Sequence, residues 1–232
     1  MIRENLSAVR EKIEQVLRET GRDPSEVTLI AVSKTRPAED VREALEAGQT
    51  EFGENKAQEM AAKADALGEG PHWHFIGNLQ RNKVKYVVGR AVLIHSLSNE
   101  ALAEEIERIS ALRGVVTPVL VEVNIGGEET KSGPSEEAAE ALVRKAASLP
   151  HLSVRGLMTV APPAENGEDN RPYFRRLRLL AERIDRLQIP GVSMKELSMG
   201  MSGDYEAAIR EGATFVRIGT AVFGERDYSR TT

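Results

Sequence analysis

Lys34 closes the apolar run Leu29-Ile30-Ala31-Val32-Ser33-Lys34. If that run is a strand, alternation places Ile30, Val32 and Lys34 on one side, and an inward strand end aims the ammonium into the space the strand opens on. Partial desolvation there lowers a lysine pKa and frees the amine for carbonyl addition. A solvated lysine at a strand end is the plainer alternative. Two later segments carry the ingredients of an anion cradle. Ser198-Met199-Gly200-Met201-Ser202-Gly203-Asp204 leads into a helix at Tyr205, and Arg217-Ile218-Gly219-Thr220-Ala221 leads into another. Glycine lets backbone approach an anion, a helix start presents N–H groups, and Ser202 and Thr220 add hydroxyls. Either segment alone reads as helix capping.

Arg217 is placed to turn toward the same space. A guanidinium donates and cannot accept, so facing a pyridine nitrogen it would keep that nitrogen unprotonated; pairing with a carboxylate is the equal alternative. Asn55, after Glu51-Phe52-Gly53-Glu54, could donate to a ring oxygen, although capping the next helix is slightly favoured. His74, in His72-Trp73-His74-Phe75-Ile76-Gly77, reads as a satisfied core histidine before a pocket residue, and Met158 as packing, in place beneath a ring. The basic stretch Gln80–Lys85 reads as a solvated helix face, and Glu128-Glu129-Thr130-Lys131-Ser132-Gly133 as a loop.

The elements that must position these residues are legible as alternation. Ile2, Leu6, Val9, Ile13, Val16 and Leu17 form one apolar stripe on a charged helix, stopped by Gly21 and Asp23-Pro24. Eight short apolar runs follow, starting at Val27, Glu51, His74, Val92, Val119, Val154, Glu196 and Phe215. Amphipathic segments separate them, among them Pro37–Ala47, Lys56–Leu67, Asn99–Leu112, Ser135–Ser148 and Arg171–Leu187. Such βαβ repetition implies a parallel sheet. Eight units in 232 residues point to a single (β/α)8 barrel domain with an extra N-terminal helix, over a doubly wound open sheet. Barrels of this kind place active sites at the C-terminal strand ends, with phosphate in the loops after strands seven and eight. A lysine and a phosphate site across one mouth suggest either pyridoxal phosphate or a phosphosugar aldolase.

Composition narrows the alternatives. With 31 Lys+Arg against 36 Asp+Glu, the chain lacks the footprint of a nucleic-acid or polybasic membrane binder. It has no cysteine, which removes disulfides, thiolate nucleophiles and Cys-ligated metals; no metal site is expected. No apolar run approaches the roughly 20 residues of a membrane span, and the first residues resemble no signal peptide, so a cytoplasmic location is expected.

The motifs Ala31-Val32-Ser33-Lys34-Thr35, Phe52-Gly53-Glu54-Asn55, Trp73-His74-Phe75-Ile76-Gly77, Lys131-Ser132-Gly133, Gly156-Leu157-Met158, Leu197–Ser202, Val216–Thr220 and Phe223–Tyr228 occur in one order along the chain. In this it resembles the pyridoxal phosphate homeostasis proteins (YggS/PROSC type), whose barrel is similar to the N-terminal domain of alanine racemase. The resemblance implies a Schiff base on Lys34, a phosphate held by Ser202, Gly219 and Thr220 with backbone help from Met201, Arg217 facing the pyridine nitrogen, and Asn55 and His74 lining the pocket. Lys56 and Asn78 depart from the usual pattern at peripheral positions, and Arg36 is expected near the mouth. The implied role is that of a carrier or regulator in vitamin B6 homeostasis, serving pyridoxal-dependent apoenzymes. A racemase needs a second acid/base on the other substrate face, which alanine racemase draws from a further domain that is not expected here. A weak amino-acid racemase, a Schiff-base aldolase or a protein-binding scaffold are the alternatives.

Overall fold

The N-terminal stripe folds as expected. In a computed structural model describing residues 1–128 and 132–225, helix α1 (Ile2–Thr20) buries Ile2, Leu6, Val9, Ile13, Val16 and Leu17. Gly21 ends it in a left-handed turn whose N–H returns to the Arg18 and Leu17 carbonyls. Asp23 and Glu26 then form a reciprocal capping box on a short 3-10 turn.

Eight strand–helix units follow. They are β1 (Thr28–Val32) and α2 (Ala38–Glu46), β2 (Glu51–Glu54) and α3 (Ala57–Leu67), β3 (His72–Phe75) and α4 (Val84–Val87), and β4 (Ala91–Leu97) and α5 (Glu100–Arg113). The second half comprises β5 (Thr117–Glu122) and α6 (Glu136–Ala147), β6 (Leu152–Met158) and α7 (Arg171–Asp185), β7 (Val192–Met201) and α8 (Tyr205–Arg210), and β8 (Phe215–Ile218) and α9 (Thr220–Phe223). Each strand pairs in parallel with the next, and β8 returns to β1 with Thr28 opposite Phe215 and Ala31 opposite Ile218. That last pairing makes a closed barrel and rules out the open sheet.

Alternation sorts the core into two regions. Ala31, Phe52, Phe75, Ile94, Val121, Leu157, Leu197 and Val216 face the helices and join one continuous apolar cluster with them. On the inner side Leu93, Leu120 and Met158 pack with Phe215, and the same surface carries buried polar groups, His74, His95, Ser198 and Arg217. Strand seven is longer than its expected Glu196-Leu197-Ser198 core, because Lys195 and Glu196 interrupt the apolar pattern within a continuous Val192–Met201 strand. The basic stretch after β3 forms a 3-10 turn and the single turn of α4, whose Val84 and Val87 are buried while the basic side chains stay outside. No helix among the described residues is long and apolar enough to cross a membrane. Glu129, Thr130, Lys131 and the Arg226-Asp227-Tyr228 segment singled out above lie outside the described residues.

Candidate cofactor site

The loop after β7 is built by Asp204. Its Oδ1 accepts from the Met201 N–H at 2.6 Å, its Oδ2 accepts from Asn170 Nδ2 at 2.8 Å, and its own N–H donates to the Met201 carbonyl at 3.0 Å. Gly200 makes the turn possible: it has φ +92°, and a Cβ there would lie 2.6 Å from the Ala208 Cβ. Ser202 is thereby presented beside the loop after β8, where the Gly219 N–H donates to its hydroxyl at 3.3 Å. Gly219 in turn lies against β1, since a Cβ built on it would sit 3.4 Å from the Val32 carbonyl oxygen. The two glycine-bearing loops and the end of β1 therefore meet at one rim. Thr220 opens α9, and the first N–H groups of a helix have no intrahelical acceptor. Met201 differs from expectation: its N–H is already committed to Asp204.

Lys34 sits at this rim, half-buried, in the turn after β1. Its neighbours are gripped from outside the barrel. Ser33 donates its hydroxyl to Glu54 Oε1 at 2.7 Å, and Lys63 of α3 reaches both Glu54 Oε1 at 2.6 Å and the Ser33 carbonyl at 2.7 Å. Glu59 bonds Lys63 at 2.9 Å and accepts from the Thr35 N–H at 2.6 Å. Thr35 is held at φ +64°, a region costly for a β-branched residue. Ser33 is thus held on the outer side, and Lys34 follows it at the rim in the turn that leads to Thr35. Burial pushes the Glu54 carboxyl above its usual range, opposed by the Lys63 ammonium. Arg36 points its guanidinium away to the Gly224 and Glu225 carbonyls, at 2.6 and 2.8 Å, and stacks over Phe223.

Arg217 is buried in β8, donating to Ser198 Oγ at 2.5 Å and to the Thr159 carbonyl at 2.8 Å. Burial lowers its pKa to about 10, against the pull of Asp204 and Glu122, so it stays charged at neutral pH. Asn55 does not cap α3; Lys56 occupies the N-cap position without a side-chain bond. The Asn55 Oδ1 is instead buried with no hydrogen-bond partner among the described residues. His74 is a core residue with both ring nitrogens engaged, and Met158 belongs to the inner apolar cluster.

A model of the alanine racemase N-terminal domain family matches residues 5–227. The chain is 48% identical to the pyridoxal phosphate homeostasis protein of Aquifex aeolicus (strain VF5), over 97% of this chain and 98% of that one. It belongs to the pyridoxal phosphate homeostasis protein family. A solved structure of PipY from Synechococcus elongatus PCC7942, with pyridoxal phosphate bound, is 35% identical and superposes with a TM-score of 0.83 over 97% of this chain and 100% of that chain. Alanine racemase from Clostridium difficile 630, at 17% identity and TM-score 0.70, shares the fold across 100% of this chain and 58% of its own.

For a member of this family the site has donors where a phosphorylated pyridine aldehyde needs them. Ser202, Thr220 and the Gly219 backbone suit a phosphate and the Arg217 guanidinium suits a ring nitrogen, while the unpartnered buried Oδ1 of Asn55 suits an accepted bond from a ring hydroxyl. Sequence reasoning missed the residues that hold these groups. Glu54, Glu59 and Lys63 hold the lysine turn; Asp204 holds the serine loop; Ser198 and Thr159 hold Arg217. Two signals were available. Lys63 falls one turn after buried Met60, on the apolar face of α3, and His95 shares the inner face with Leu93 two residues earlier.

Proposed function

We propose that this protein holds pyridoxal phosphate at the barrel mouth, with Lys34 as its covalent anchor, and gives it up again to pyridoxal-dependent apoenzymes in the cytoplasm. The observation that carries this reading is the meeting of Ser202 and Gly219 at 3.3 Å against the end of the strand that bears Lys34. The bound cofactor in PipY and the names of the curated relatives support it.

Each residue has a definite task. Lys34 supplies the amine that condenses with an aldehyde, releasing water. Ser202 and Thr220 bind the phosphate through charge-assisted hydrogen bonds, with the Gly219 N–H fixing the Ser202 hydroxyl beside it. Arg217 orients the ring by donating to its nitrogen, and because a guanidinium cannot protonate that nitrogen it leaves the ring a poor electron sink. When bound, pyridoxal phosphate supplies a reactive aldehyde and a conjugated ring able to accept electrons.

The purified protein should absorb in the visible after addition of pyridoxal phosphate, and borohydride followed by peptide mass mapping should place the cofactor on Lys34. Protein that gains no absorbance, or cofactor fixed on another lysine, overturns the reading. Amino-acid racemisation abolished by Lys34→Ala would replace carriage with catalysis.

A further inference from the structure

Inside the barrel, five side chains from five strands form one unbroken hydrogen-bonded line. Arg217 Nη1 lies 2.5 Å from Ser198 Oγ, and that oxygen lies 2.8 Å from His95 Nδ1. His95 Nε2 is 2.9 Å from His74 Nδ1, and His74 Nε2 is 2.8 Å from Glu51 Oε2. Arg217, Ser198, His95 and His74 are each at most 4% exposed. Phe215 packs against both imidazoles with ring centroids 5.5 Å apart, which keeps water from the middle of the line.

The ends dictate the direction of every proton. A guanidinium only donates, and a carboxylate only accepts. Ser198 accepts from Arg217, so its one proton is available for His95 Nδ1. Burial, with His74 and Arg217 nearby, holds the pKa of His95 well below the ordinary value, so it has a single N–H. That N–H then lies on Nε2 and donates to His74 Nδ1, and His74 donates from Nε2 to Glu51. The opposite tautomer of His95 would leave the Ser198 proton without an acceptor among the described residues, in a fully buried position.

We infer that His95, with His74 and Ser198, is a positioning relay that holds the Arg217 guanidinium in place and ties it to the Glu51 carboxylate at the other end of the barrel. The relay rests on the hydrogen-bond geometry and on the full burial of His95; only its consequence for the cofactor rests on the function proposed above. Glu51 starts β2 and also meets His72, the exposed first residue of β3, at 2.6 Å. Other charges facing the line are few. Glu196 of β7, paired with Arg155 at 2.9 Å, acts on His74, while Glu122 of β5 and Asp204 act on Arg217.

Side-chain nitrogen NMR on cofactor-free protein tests the relay without any assumption about function. Both His74 and His95 should carry their proton on Nε2, and the Arg217 N–H groups should exchange slowly with water. His95→Phe should speed that exchange at least tenfold, while His95→Gln, which can both donate and accept, should restore it. With pyridoxal phosphate as the probe, His95→Phe should weaken binding about tenfold, the size of one hydrogen bond to a charged group. A proton on His95 Nδ1, or unchanged Arg217 exchange in His95→Phe, overturns the relay. If His95→Phe does not fold, the tautomers of the wild-type protein and of Glu51→Gln, which keeps the acceptor, decide alone. Wild-type protein that binds no cofactor yet shows the stated tautomers overturns the carrier function and supports the relay.

Discussion

Ser202 combines two roles that pull in different directions. Its hydroxyl accepts from the Gly219 N–H, which docks one loop on the other, and its own proton remains available to a bound anion. Ser202→Ala should therefore leave the fold intact and weaken pyridoxal phosphate binding by roughly 10–100-fold, the range for one charge-assisted hydrogen bond. Equilibrium titration followed by absorbance measures this; an unchanged dissociation constant would take Ser202 out of the phosphate site. At this scale the sequence disclosed the reactive ends and concealed their supports. Lys34, Ser202, Gly219 and Arg217 announced themselves by type and by position at strand ends. Asp204 and Lys63 did not, because a surface aspartate and a helical lysine have the same letters as a buried one. Only tertiary packing makes Lys63 a buried cation bound to Glu54 at 2.6 Å.

Among the elements, α3 and the loop after β7 are where backbone shape is set. Lys63→Met would strand Glu54 in the protein interior, and a buried pair broken on one side costs about 3–5 kcal/mol. Urea unfolding should show that loss, and Glu54→Gln in the same chain should recover part of it. Equal stability of the single and double variants would mean that the lysine only fills space. Gly200→Ala meets both a left-handed φ and the Ala208 Cβ, so it should destabilise by about 1–3 kcal/mol. Gly203→Ala, with nothing within 4 Å of the added carbon, should stay within about 0.5 kcal/mol by the same measurement. Period and turn residues exposed most of these elements in the sequence. The full length of β7 escaped because charged residues interrupt it, and the helix face read over Gln80–Lys85 is a 3-10 turn followed by the single turn of α4.

Across the whole molecule, the barrel interior is a charged place as well as a packed one. Burial pushes the Glu122 carboxyl above its usual range, and the Arg217 guanidinium pulls it back only in part. A group whose folded pKa is raised adds stability that is fully present below its unfolded value, near 4.5, and is lost as pH rises through the folded value. Glu122→Gln should therefore gain on the wild type as pH rises from about 4 to about 7, measured as the difference in urea midpoints. A difference that stays constant across that span would show that Glu122 titrates as it does in the unfolded chain.

The seam at which β8 returns to β1 has a consequence for when the protein becomes competent. Lys34 follows β1, whereas Ser202, Gly219 and Thr220 belong to the loops after β7 and β8, far along the chain from it. Asn5 of α1 reaches the Val222 carbonyl at 2.9 Å, so α1 makes its full set of contacts only with α9 in place. Closure between such distant stretches is slow relative to local folding. A chain in which β8 has not yet joined β1 has Lys34 without the assembled loop pair beside it, so on the proposed function retention of an aldehyde would begin only when the cylinder shuts.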